Sequence, residues 1–141
     1  MFKNICLFSL AILCSHVQAG SPEWAKDMVW YQIFPERFNN GDSSNDPTRA
    51  SLDNPQYVNS DWEVMDWESE WFERAQWEKA QGSDFHRTLQ HRRYGGDLQG
   101  IINKLDYLKE LGINGIYLNP IFHANSLHKY DGNSFHHIDP Y

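Results

Sequence analysis

Cysteine is nearly absent from this sequence. Its two cysteines, Cys6 and Cys14, both fall within residues 1–19. A disulfide framework is therefore excluded for residues 20–141, whose stability must come from a packed core or a bound ion. Positive charge is scarce too: 12 Lys and Arg stand against 19 Asp and Glu, a net charge of -7. That balance leaves no electrostatic footprint for nucleic acid or an anionic lipid surface. Long hydrophobic runs are also missing. The apolar stretch Ile5 to Cys14 falls short of the roughly 20 residues that a membrane-spanning helix needs. Internal repeats and low-complexity linkers are absent as well.

What is present begins with Lys3, the apolar stretch and then Val17-Gln18-Ala19, a small-x-small site. This order reads as a secretory signal peptide over 1–19, cleaved after Ala19. The remainder is expected to be secreted or periplasmic, with no membrane attachment after cleavage. Aromatic residues are plentiful at 15%, six of them Trp. Aromatic faces stack on sugar rings, and they equally fill cores.

Asp27 to Phe34 is apolar and β-favouring up to Pro35, and reads as a strand buried on both faces, as in a parallel sheet. Asn39 to Pro55 is rich in Asn, Asp, Ser and Pro and reads as a loop. An acidic, Trp-rich insertion covers about residues 57–92. Its central part, Asp61 to Ala80, has seven acidic and two basic residues and four Trp. One or two short helices are expected there, with Trp67, Trp71 and Ala75 on one face. Leu98, Ile101, Ile102, Leu105, Leu108 and Leu111 recur at helical spacing, between Asp97 as N-cap and Gly112 as stop. Asn114 to Asn119 is a second buried strand ending at Pro120, and residues 121–141 read as a polar, His-rich loop. Strand, helix and strand make one βαβ unit, so the fold class is α/β with a parallel sheet.

Asn40, Asp42, Asn45 and Asp46 place four oxygen side chains within one short loop around Gly41, a donor set that suits a hard cation such as calcium. The spacing is not that of an EF-hand, and Asx-rich turns are common on their own. His123, His128, His136 and His137 follow no short zinc-ligand pattern.

Taken in order, the Asn39–Asp46 loop, Arg93-Tyr-Gly-Gly-Asp-Leu-Gln-Gly-Ile-Ile102, the strand Gly112 to Pro120 and His128-Lys129-Tyr130-Asp131 resemble the opening of the catalytic barrel in the alpha-amylase superfamily of glycoside hydrolases. The likeness is to its cyclodextrinase and neopullulanase-like branch. It implies the start of a (β/α)8 TIM barrel, β1-α1-β2 plus loops, incomplete in this chain, over residues 20–141. It implies a Ca2+ site on Asn40, Asp42, Asn45, Asp46 and Asp97, with Gly95 contributing its carbonyl. It places Tyr130 as a sugar-stacking residue, with His128 and Asp131 beside it as substrate contacts or loop supports. The partner implied is an α-glucan oligosaccharide or polysaccharide, cleaved with retention. Glycoside hydrolysis of this kind uses two carboxylates, which the family holds after its fourth and fifth strands. No catalytic residue is therefore assigned within this chain. The insertion departs from the family pattern. A second reading of the same residues is a non-catalytic remnant or a calcium- or sugar-binding stub. Oligomeric state is not legible.

Overall fold

The computed structural model describes residues 20–82 and 84–141. The expected signal segment, 1–19 with its cleavage site, lies outside the described residues. In chain order the elements are a single helical turn Glu23–Lys26 (α1), strand Trp30–Ile33 (β1), helices Gln76–Ala80 (α2), Phe85–Leu89 (α3), Leu98–Asn103 (α4) and Leu105–Glu110 (α5), and strands Gly115–Leu118 (β2), Phe122–His123 (β3) and Ser134–Ile138 (β4). Short 3-10 turns fill much of the stretch between β1 and α2.

β1 and β2 pair in parallel, with Trp30 opposite Gly115 and Ile33 opposite Leu118. Parallel strands require a crossover, and α4 and α5 provide it. The expected βαβ unit is present. Burial on both faces is not. Tyr31 and Ile33 turn toward the helices, where Ile33, Ile101 and Leu108 are buried among Leu98, Ile113 and Leu118. Trp30 and Tyr117, on the other face, are 50% and 55% exposed. Side chains alternate across a strand, and among the described residues only one face is covered by a helical layer.

The expected single helix from Leu98 to Leu111 is two. Its N-terminus behaves as read, because the Asp97 carboxylate accepts from the Gly100 N–H. Its C-terminus does too, since Gly112 takes φ +85 and so stops the helix without a Cβ clash. Between them Lys104 leaves helical geometry at φ -106, ψ 7, and its N–H bonds back to Ile101 O at 3.0 Å. Ile101 on α4 and Leu108 on α5 are buried, while Ile102 and Leu105 on either side of that tightened turn face outward.

The insertion has its own core. Leu52, Val58, Trp62, Met65, Trp77 and Tyr94 pack together, and the Trp62 indole donates to His91 O at 2.8 Å. Fully buried Arg92 grips fully buried Glu78 through Nε (2.9 Å) and Nη2 (2.6 Å). The same guanidinium also donates to the Trp71 and Glu73 carbonyls at 2.7 and 2.8 Å. Two short helices are present, α2 and α3, but Trp67 and Trp71 stand on turns, not on one helical face. Residues 121–141 also differ from expectation: β3 and β4 form an antiparallel ribbon inside that loop. Period-2 patterning is weak there because most of β4 is exposed.

Candidate functional site

Both expected site loops leave the carboxyl ends of the parallel strands. Glu36 starts the arrangement after β1. Its buried carboxylate lies 2.6 Å from Arg37 Nε through Oε2. Its Oε1 accepts from the backbone N–H groups of Tyr94 and, at 3.3 Å, Gly95. Burial pushes its pKa up, opposed by the Arg37 charge and these N–H groups. The backbone repeats the link: Gly96 N–H donates to Glu36 O at 3.2 Å and Asp97 N–H to Asn39 O at 3.1 Å. The chain before and after the insertion is thus held together.

Asp97 extends this junction. Beyond Gly100, its carboxylate accepts from the N–H groups of Gly41 (3.2 Å) and Asp42 (2.9 Å). Both its oxygens are therefore occupied by backbone donors. The Asp42 carboxylate is turned into its own loop, where it accepts from the Ser44 N–H and hydroxyl, and these bonds hold its pKa low. Asn40 and Asp46 come together, with the amide donating to the carboxylate at 2.6 Å. Gly95 lies against both. It takes φ +71, and a Cβ there would fall 2.4 Å from Asp46 Oδ1 and 2.8 Å from Asn40 Nδ2. Of the six expected metal-site residues the structure thus gathers Asn40, Asp46 and Gly95. It commits Asp42 and Asp97 to backbone donors, and Asn45 lines an adjoining cleft. Among the described residues no three His, Cys, Asp or Glu side chains form a metal cluster. The expected set includes three carboxylates, Asp42, Asp46 and Asp97, and the structure does not bring them together around one point.

The loop after β2 is held by Ser126 and Asp139. Ser126 Oγ donates to the Asp131 carboxylate, which lowers the Asp131 pKa. It also lies 3.1 Å from His128 Nδ1 and accepts from the Lys129 N–H at 3.1 Å. His128 Nδ1 accepts from the Tyr130 N–H at 3.1 Å. His128 and Asp131 therefore shape the loop, and Tyr130 stands out from it, 65% exposed. Lys129 adopts φ 55, unusual for a residue with a Cβ. Its Nζ reaches Asp139 at 2.9 Å, and Asp139 also accepts from the Ala124 N–H at 3.1 Å.

Sequence reasoning missed Glu36, Lys129 and Asp139. An acid directly after Pro35, at the end of an apolar strand, was the one available sign for Glu36. The two loops meet in a cleft of about 220 Å³, with Phe34, Asn45 and Asp97 from one side and Lys129, Asp139 and Tyr141 from the other.

Residues 32–141 match the family model for the alpha-amylase catalytic domain. A cyclomaltodextrinase of Thermoanaerobacter pseudethanolicus is 46% identical over 121 residues, 86% of this chain and 16% of the relative. An intracellular maltogenic amylase of Bacillus subtilis is 44% identical over 121 residues, with the same shares of 86% and 16%. Among solved structures, the ligand-free cyclic alpha-maltosyl-(1→6)-maltose hydrolase of Arthrobacter globiformis superposes with a TM-score of 0.57 at 37% identity, over 84% of this chain and 20% of that one. The type III pullulan hydrolase of Thermococcus kodakarensis gives 0.59 at 34% identity, over 83% and 19%. The chain spans about one sixth of the length of these curated relatives.

Proposed function

The chain belongs to the alpha-amylase family, and we propose that it forms the N-terminal part of a (β/α)8 catalytic domain in an exported glycoside hydrolase acting on α-glucans. One observation carries this reading. The loops after two parallel strands line a common cleft at the strands' carboxyl ends, which is where barrel enzymes build their sites. The substrates would be starch-, maltodextrin- or cyclodextrin-like, cleaved with retention of configuration. Nucleophile and acid would come from later strands of the barrel, and neither role is assigned to an Asp or Glu of residues 20–141.

This chain's own part is to bind and orient. Tyr130 presents an exposed ring to stack on a pyranose. His128 and Asp131, joined through Ser126, set the height and tilt of that ring. A calcium ion would be held by the Asp46 carboxylate, the Asn40 side-chain carbonyl and the Gly95 carbonyl, with Asn45 nearby; the Asp42 and Asp97 carboxylates would join only on giving up the N–H donors they hold. The fit rests on the meeting of the Asn40 amide and the Asp46 carboxylate against a backbone with no Cβ. When bound, the ion would supply a cross-link between the β1 loop and the start of α4. Export is proposed from Lys3, the apolar stretch and Ala19 of this chain alone, since the Bacillus subtilis relative is named as intracellular. A mature N-terminus at Gly20 is its check.

The test uses the whole protein with maltodextrin, cyclodextrin and pullulan. Proton NMR is expected to show the α-anomer as first product. Tyr130→Ala is expected to lower kcat/KM by up to about tenfold, the worth of one aromatic contact. Inverted product, or no cleavage of any of the three glucans, would refute the reading.

A further inference from the structure

The insertion exposes aromatic rings that its core does not need. Trp67 and Trp71 are 41% and 44% exposed, although both pack on buried Tyr94. Trp71 and Tyr94 lie 12° from parallel with centroids 6.3 Å apart, and Trp67 tilts at 56° with its centroid 5.4 Å from Tyr94. The Arg37 guanidinium sits over both faces, 4.7 Å from the Tyr94 centroid and 5.6 Å from that of Trp71. Arg37 Nη2 donates to Arg92 O at 3.2 Å and Nε faces Glu36. Its Nη1 has no partner among the described residues. Together with Phe34 these groups line a cleft of about 460 Å³, within the range of about 300–1,000 Å³ typical of small-molecule sites.

We propose that this cleft is an accessory subsite, built by the insertion, that binds a neutral pyranose of an α-glucan chain. The proposal rests on the glucan reading above. Three features select that ligand. The exposed Trp67 and Trp71 faces match the C–H faces of a sugar ring. The free Arg37 donor offers a hydrogen bond to a ring hydroxyl. Exposed Asp66, Glu68, Glu70 and Glu73 flank the same turns and disfavour phosphorylated or otherwise anionic ligands. Phe34 directly follows β1, so the cleft opens at the same carboxyl end of the sheet as the loops already described. Its effect is to add length preference: a glucan long enough to reach it gains one more ring contact.

Two measurements on the whole protein test this. Tryptophan fluorescence titrated with maltoheptaose reports binding without requiring turnover. Trp67→Ala and Trp71→Ala are each expected to weaken that binding by about tenfold, while Trp67→Phe and Trp71→Phe recover most of it. In steady-state kinetics the alanine variants are expected to raise KM for maltoheptaose about tenfold more than for maltotriose, with the effect on kcat smaller than on KM. Equal losses for both chain lengths, or unaltered maltoheptaose binding in folded variants, would overturn the subsite. If the protein cleaves no glucan but maltoheptaose binding depends on Trp67 and Trp71, the subsite holds and the hydrolase reading fails.

Discussion

Asp97 has two roles that one substitution can confuse. Sequence reasoning places it among cation ligands. The structure shows it capping α4 and holding the Gly41 and Asp42 amides as well. Asp97→Ala is therefore expected to destabilise by about 1–3 kcal/mol with or without calcium, since it strands buried N–H groups and removes a cap. Asp46 separates the two roles, because its contacts are with Asn40 and the face of Gly95. Asp46→Ala is expected to remove most of any rise in Tm that calcium gives over chelator, and Asp97→Ala to lower Tm in both. A calcium-induced rise that survives Asp46→Ala would count against the ion site. At this scale the sequence was informative where a residue acts within its own turn, as Asp97 and Gly112 do. It was silent on Lys129 and Asp139, because an ion pair across ten positions of a loop leaves no periodic trace.

The elements of the insertion are tied by one buried pair. Glu78 on α2 and Arg92 after α3 are both inaccessible, and removing one partner leaves the other charged and alone. Glu78→Gln is expected to cost about 3–5 kcal/mol at pH 7. The pH dependence follows from the direction of its shift. Burial works to raise the Glu78 pKa, but hydrogen bonds from Arg92 and the Ala75 N–H prevail and hold it below 4.5. A carboxylate with a depressed folded-state pKa contributes stability that is full above its unfolded value and lost as pH falls through its folded value. The gap in urea stability between wild type and Glu78→Gln is thus expected to narrow from pH 7 to pH 3. A constant gap would contradict it. Glu36 runs the other way. Burial raises its pKa, so its share is full below the ordinary carboxylate range and lost as pH rises through the raised value. Of the one or two short helices expected in Asp61 to Ala80, α2 lies there, while α3 falls beyond it at Phe85–Leu89. Trp67 and Trp71 follow helical spacing, yet both are drawn onto Tyr94 by packing that overrides a weak local preference. The break at Lys104 was equally hidden, since the leucine periodicity runs through it unaltered.

For the molecule as a whole, the parallel pair and its crossover were legible because apolar runs and helical spacing dictate them. What was not legible was that, among the described residues, only one face of the sheet would be covered. On the other face Trp30 and Tyr117 are 50% and 55% exposed. An open strand face of this kind invites association. Residues 20–141 produced alone are expected to bind a hydrophobic dye such as ANS and to self-associate in sedimentation. A monomer that excludes dye and melts cooperatively would show instead that the segment is self-sufficient.

The junction between residues 36–42 and 94–97 has one more consequence. Because Glu36, Asn39 and Asp97 fasten the two strands of chain side by side, residues 47–93 leave and re-enter the fold at nearly the same point. They form a cassette with a closed base. Such an excursion is open to lengthening, trimming or exchange at small entropic penalty, provided both halves of the clasp are kept. The β1-to-α4 crossing is thus a port at which specificity can be grafted without redrawing the frame beneath it.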